Sequence, residues 1–145
     1  MAETLVIGYG NDLRSDDRAG REVADRIEAA ELPGVEVRSQ SQLTPELALD
    51  IASADVVVFV DADIDCRELT VRPIEARERG AQSMSHHTDP ETMLLLARDV
   101  GAVPRVAHMV SIPASDLALG FEMSPATREA VGEAVEVITA LVSPA

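Results

Sequence analysis

Aromatic side chains are scarce: the 145 residues include no Trp, one Tyr and two Phe. The core must therefore be aliphatic, drawn from the Val, Ala, Leu and Ile that supply most of the 46% apolar content, as in layered α/β proteins with branched residues in buried strands. Cys66 is the single cysteine, which excludes an internal disulfide and a multi-thiolate zinc cluster and suits a reducing compartment. Positive charge is also short, with 12 basic against 26 acidic residues and a formal net charge of -14. Such a surface repels phosphate backbones and anionic lipid headgroups, so nucleic acid and membrane are excluded as partners. Apolar runs such as Val56–Val60 fall far short of the roughly 20 residues that span a bilayer. No basic amino terminus leads into a signal-type apolar stretch. These absences predict a cytoplasmic protein, and the length predicts a single domain over residues 1–145.

The pattern that remains alternates between the two periodicities. Thr4–Tyr9 is a short apolar run closed by Gly8 and Gly10, a buried strand entering a tight turn. Ala19, Val23, Ile27 and Ala30 follow at helical spacing, with Ser15 or the next aspartates as cap, until Pro33-Gly34. Val35–Ser39 alternates as a strand. Thr44-Pro45-Glu46 starts a helix that buries Leu47, Ala48 and Ile51. Asp55–Asp61 is a continuous apolar run, a central strand that ends in a carboxylate. Glu68–Ile74 alternates, and its proline predicts a sheet edge. Asp89-Pro90-Glu91 opens a helix burying Met93, Leu94, Leu96, Ala97 and Val100. Val106–Ile112 is a fifth strand, and Ser124-Pro125 opens a last helix with Val131, Val135 and Ile138 inward. The order β-α-β-α-β-β-α-β-α predicts a three-layer α/β/α sandwich around a mostly parallel five-stranded sheet with one antiparallel edge strand.

In such sheets, sites form beyond the carboxyl ends of the strands, where loops converge. Three features occupy those positions: the loop from Gly8 through Asp16 and Asp17, the strand end Asp61-Ala62-Asp63, and the pair His86-His87 ahead of a helix. Hard carboxylate oxygens with a borderline imidazole nitrogen form an incomplete ligand set for a divalent transition metal, open to water or substrate. From residue chemistry alone, Asp16 and Asp17 both serve equally well as turn formers or caps. Of the adjacent histidines, which point in different directions, only one can join a site. Asp61 differs, because a carboxylate directly after five apolar residues is partly buried and needs a partner. Cys66 and His108 read as structural. The glycine loop lacks the third glycine of a dinucleotide fingerprint, Leu13 standing there, and no P-loop exists in the chain. Gly8 and Gly10 then serve to turn the backbone and bring Asp17 toward the sheet end, with Asn11 fixing the turn or positioning a peptide.

These segments resemble the [NiFe]-hydrogenase maturation proteases. LVIGYGNDLRSDDRAG is similar to that family's strand, its G-x-G-N-x-L loop and its acidic pair, whose second member contacts metal and here is Asp17. VVVFVDAD matches the second signature and places the second metal-contacting carboxylate on Asp61. SHHTDPETMLLLAR matches the third, with His87 as the contact, and SIPASDLALGFEMSP resembles the I-P…G-x-x-x-S-P ending. Arg18 stands where a small residue is frequent, and Ser39-Gln40-Ser41-Gln42 replaces a D-G-G-T segment. The resemblance implies an aspartic-type, metal-recognising endopeptidase that trims the carboxy-terminal extension of a hydrogenase large-subunit precursor after nickel insertion. It implies no organic cofactor, a monomer, and Asp17, Asp61 and His87 as reader of the nickel held by substrate cysteines or of another divalent metal. Asp17 or Asp61 is then the general base, Asp16 and His86 are in reserve, and Asp63 supports the loop. The other readings are a non-catalytic metal- or precursor-binding chaperone of the same fold and, on the glycine loop, a nucleotide-binding domain.

Overall fold

The apolar run before Asp61 builds the central strand: Val57, Val58, Phe59 and Val60 are each 0% exposed. A computed structural model describes residues 3–77 and 89–143. In chain order these form β1 (Thr4–Tyr9), a 3₁₀ turn (Ser15–Arg18), α1 (Ala19–Ala29), β2 (Val35–Gln40) and α2 (Leu47–Ala52). Next come β3 (Val56–Asp63), β4 (Thr70–Pro73), α3 (Pro90–Val100), β5 (Val106–Pro113) and α4 (Pro125–Val142). The five strands form one sheet in the order β2-β1-β3-β5-β4. All pairings are parallel except β4 against β5. The expected α/β sandwich with one antiparallel edge strand is present.

Strand alternation sorts side chains into two aliphatic layers. Leu5, Ile7, Val57, Phe59, Ala107 and Met109 pack against α2 and α3 through Leu47, Ile51, Met93 and Leu94. Val6, Val58, Val60, Val110 and Ile112 pack on the other face against α1 and α4 through Val23, Ile27, Val131 and Ile138. Each such buried side chain contributes about 1.5–3 kcal/mol. β4 is exposed along its whole length and ends at Pro73, as an edge strand that lacks one amide donor can.

Local expectations differ in instructive places. β3 runs two residues past Asp61, because Ala62 and Asp63 pair with Ile112 and Pro113. Val100 and Ala30 lie at exposed helix ends rather than inward. Ser15 caps nothing: it has φ 50°, and its hydroxyl donates to the Ala118 carbonyl at 2.9 Å. Asp89 caps α3 as expected, accepting from the Thr92 amide at 2.8 Å. Gly8 sits in regular strand, not at the turn. Its hydrogen faces α1, where a Cβ would collide with the Gly20 carbonyl and Ala24. A Cβ at Gly20 would meet the carbonyl oxygens of Val60 and Tyr9. These two glycines let α1 lie almost on the sheet, directly under the loop that follows β1. Gly20→Ala should lower unfolding free energy by about 1–3 kcal/mol through overpacking, read by urea denaturation; an unchanged midpoint would show that the helix has slack there.

Candidate active site

Chain reversal makes the site. β1 has β2 on one side and β3 on the other, so the loops after β1 and β3 diverge and leave a crevice at the carboxyl ends of both strands. Continuing each strand's alternation past its buried residues brings Tyr9, Asp61 and Ser111 to the α2/α3 face, with Asp61 opposite Ser111 in register. They line a cavity of about 710 Å³ together with Gly10, Asn11, Asp17, Ser41, Gln42 and the first residues of α3.

The acidic pair of the first loop is split by the 3₁₀ turn. Asp16 turns inward and is 0% exposed. Its carboxylate accepts from the amides of Ser115 and Asp116, each at 2.9 Å, from the Ser124 amide at 2.6 Å and from the Ser124 hydroxyl at 2.9 Å. Burial works to raise its pKa, but the amides of Ser115, Ser124 and Asp116 and the Ser124 hydroxyl together outweigh it and hold the group at about 2. Around this anchor the turn and the late loop are laced together. The Ser15 amide donates to Gly120 at 3.0 Å, the Gly120 amide to Leu13 at 2.8 Å, and Arg18 to the Phe121 carbonyl at 2.9 Å.

Asp17 consequently faces the cavity. Its carboxylate accepts from the Asn11 amide at 2.9 Å, while the Asn11 side chain accepts from the Leu13 amide at 2.9 Å and so fixes the turn. Gly10 has φ 150°, and a Cβ there would strike the Asp17 carbonyl, so the loop closes on its own backbone where a phosphate cradle would be open.

Asp61 is the perturbed acid. Burial raises its pKa from 3.8 to about 7; the neighbouring charge of Asp17 adds to the rise, and hydrogen bonds from the Ala62 amide and the Tyr9 hydroxyl oppose it. The Ala62 bond measures 2.8 Å. The Tyr9 hydroxyl is itself raised well above its usual value, first by burial and then by the Asp61 charge. Tyr9 is a site residue that sequence reading missed; its place two residues after buried Ile7 was the available signal. Asp63 also lines the cavity and accepts the Asp65 amide at 2.8 Å, steadying the loop after β3. His86 and His87 lie outside the described residues, which resume at Asp89 on the cavity wall. Among the described residues no three His, Cys, Asp or Glu side chains converge as a metal site. Cys66 is partly buried, with its thiol near the Asp63 carbonyl, and His108 is half-buried in β5 with an unpaired Nδ1.

The fold that carries this crevice has counterparts among solved structures. Solved structures align over nearly the whole chain. A hydrogenase 2 maturation peptidase from a Thaumarchaeota archaeon is 24% identical with TM-score 0.73, over 97% of this chain and 98% of that one. The [NiFe] hydrogenase maturation protease HybD from Thermococcus kodakarensis is 25% identical with TM-score 0.69, over 99% and 100%. This chain has the hydrogenase maturation protease fold. The maturating endopeptidase HybD from E. coli, at 21% identity and TM-score 0.74 over 98% and 92%, agrees. No family model and no curated protein matches the sequence. Among the described residues no helix is long and apolar enough to cross a membrane.

Two measurements test the contrasting acids. Asp16→Asn leaves one acceptor oxygen for four donors and places an amide among them, so it should cost about 3 kcal/mol, lowering Tm by roughly 6–12 °C; a loss under 2 °C would contradict the anchor. Asp61 binds its proton more tightly in the folded chain, at about 7, than at its ordinary 3.8. The stability held by the neutral form is therefore present at low pH and lost as pH rises through about 7. In chelator, Asp61→Asn should be more stable than the parent by about 2 kcal/mol at pH 8, with the gap closing towards pH 4; a gap independent of pH would refute the shifted titration.

Proposed function

We propose that the protein is an endopeptidase that removes the carboxy-terminal extension of a [NiFe]-hydrogenase large-subunit precursor once nickel has been inserted. The observation that carries this reading is that Asp17 and a partly buried Asp61, whose pKa is raised to about 7, line one crevice of the maturation-protease fold. In this reading the whole chain acts as one domain, as a monomer and in the cytoplasm, without an organic cofactor. The metal belongs to the substrate: Asp17, Asp61 and His87 complete the shell of nickel held by substrate cysteines, so only loaded precursor is seated. Two carboxylates and an imidazole suit nickel or another divalent metal of borderline softness.

Seating then couples to protonation. Asp61 must give up its proton to reach a cation, so association should weaken as pH falls below about 7. Water attacks the scissile carbonyl next to the metal, with Asp17 or Asp61 as base. Either carboxylate would supply the aspartic-type role, with Tyr9 holding the Asp61 carboxyl in place. A non-catalytic chaperone on the same fold would bind loaded precursor without cutting it.

Incubating nickel-loaded precursor with the protein and weighing the subunit by mass spectrometry separates these outcomes. The parent should yield a shortened subunit, and Asp17→Ala, Asp61→Ala and His87→Ala should each slow cleavage by about 100-fold or more. An intact subunit after incubation with the parent would sink the protease reading in favour of the chaperone.

A further inference from the structure

The charged side chains of the cavity wall are mostly carboxylates, yet Arg72 also lines it. It stands on edge strand β4 opposite Met109, whose side chain lies on the α2/α3 face, so the guanidinium shares the face of Asp61. Arg18, Arg21, Arg26, Arg38 and Arg98 each pair with a carboxylate at 3.1–4.0 Å. Among the described residues, no carboxylate makes a hydrogen bond or ion pair with the Arg72 guanidinium, although Asp63 lines the same cavity. Arg14, the other cavity arginine, reaches the Leu117 carbonyl at 3.4 Å. The basic side chains are all arginines, with no lysine in the sequence, and a guanidinium is shaped to grip a carboxylate with two parallel bonds.

We propose that Arg72 is a carboxylate-binding subsite that takes an acidic side chain or the terminal carboxylate of the extension being cut away. This rests on the endopeptidase reading above. Its spacing is set by the sheet. Asp61 pairs with Ser111, Ser111 with Thr70, and Arg72 lies two residues along β4 from Thr70. Two strand spacings of about 4.8 Å and two residues of about 3.3 Å place the two backbone positions about 12 Å apart. An extended peptide covers that in three to four residues, at about 3.3 Å each. The side of the scissile bond tied to nickel and the folded subunit is immobile, so the free extension is the part that can lie toward β4. Arg72 then sets register, its guanidinium favouring extensions that present a carboxylate.

The test uses the full-length protein and two readouts. In fluorescence anisotropy, labelled hexapeptides carry an aspartate in the fourth position with an amidated end, a free terminal carboxylate with neutral side chains, or neither. The parent should bind one of the first two at least about fivefold more tightly than the third, as a charge-assisted pair predicts. That preference should vanish in Arg72→Gln and survive in part in Arg72→Lys, and whichever peptide is preferred names the source of the carboxylate. On nickel-loaded precursor, Arg72→Gln should raise KM by about fivefold and change kcat by less than about twofold, the mark of lost uniform binding. No preference in the parent, or one that persists in Arg72→Gln, overturns the subsite. Peptide preference without precursor cleavage leaves the subsite standing and defeats the protease reading; cleavage indifferent to Arg72 does the reverse.

Discussion

A carboxylate shut away from water is tolerated only if its lone pairs are filled, and Asp16 fills them with donors from a single distant loop. That constraint propagates outward. With Asp16 fixed inward, the 3₁₀ turn must present the next side chain, Asp17, on the opposite side, where the crevice opens. Gly10 admits the Asp17 backbone, and the Asn11 amide receives its carboxylate. The position of a group proposed to read metal is thus set by a neighbour that never touches substrate.

Two acids, Asp16 and Asp61, therefore do opposite electrostatic work. Asp16 is buried among donors and stays ionised, with its pKa held at about 2. Asp61 is partly buried beside another carboxylate, with fewer donors, and keeps its proton up to about 7. Burial opposes ionisation in both, and what differs is the number of hydrogen bonds that the ionised form receives. With Asp61 neutral, the crevice avoids the repulsion that two bare carboxylates at one strand end would suffer.

Much of this was legible in the residues. β1 ran over Thr4–Tyr9 as its apolar run indicated, the central strand followed from VVVFV, and the antiparallel edge followed from Pro73. Those signals are local, because period and breakers act within a few residues. Asp61 was legible for the same reason, as a carboxyl forced to the end of a buried run. The roles of Asp16 and Ser15 were not, since their partners lie 99 to 108 positions away and no local rule distinguishes a cap from a cross-chain staple. Gly8 was misread as a turn former because its reason, the approach of α1 at Gly20, exists only in three dimensions. Tyr9 was marked only by its place two residues after buried Ile7, and its partner Asp61 lies on a different strand.

The staple between the first loop and the start of α4 also has a meaning in time. Ser124 follows Asp16 by 108 residues, so during synthesis the acidic turn emerges long before the donors that lock it. Contacts of such sequence separation form late, after the loop-closure entropy of nearly the whole chain has been overcome. Until then Asp16 remains hydrated and Asp17 has no fixed direction. A crevice assembled in this order gains its fixed Asp17 only once the segment from Ser115 to Ser124 has been made and folded back onto the first loop.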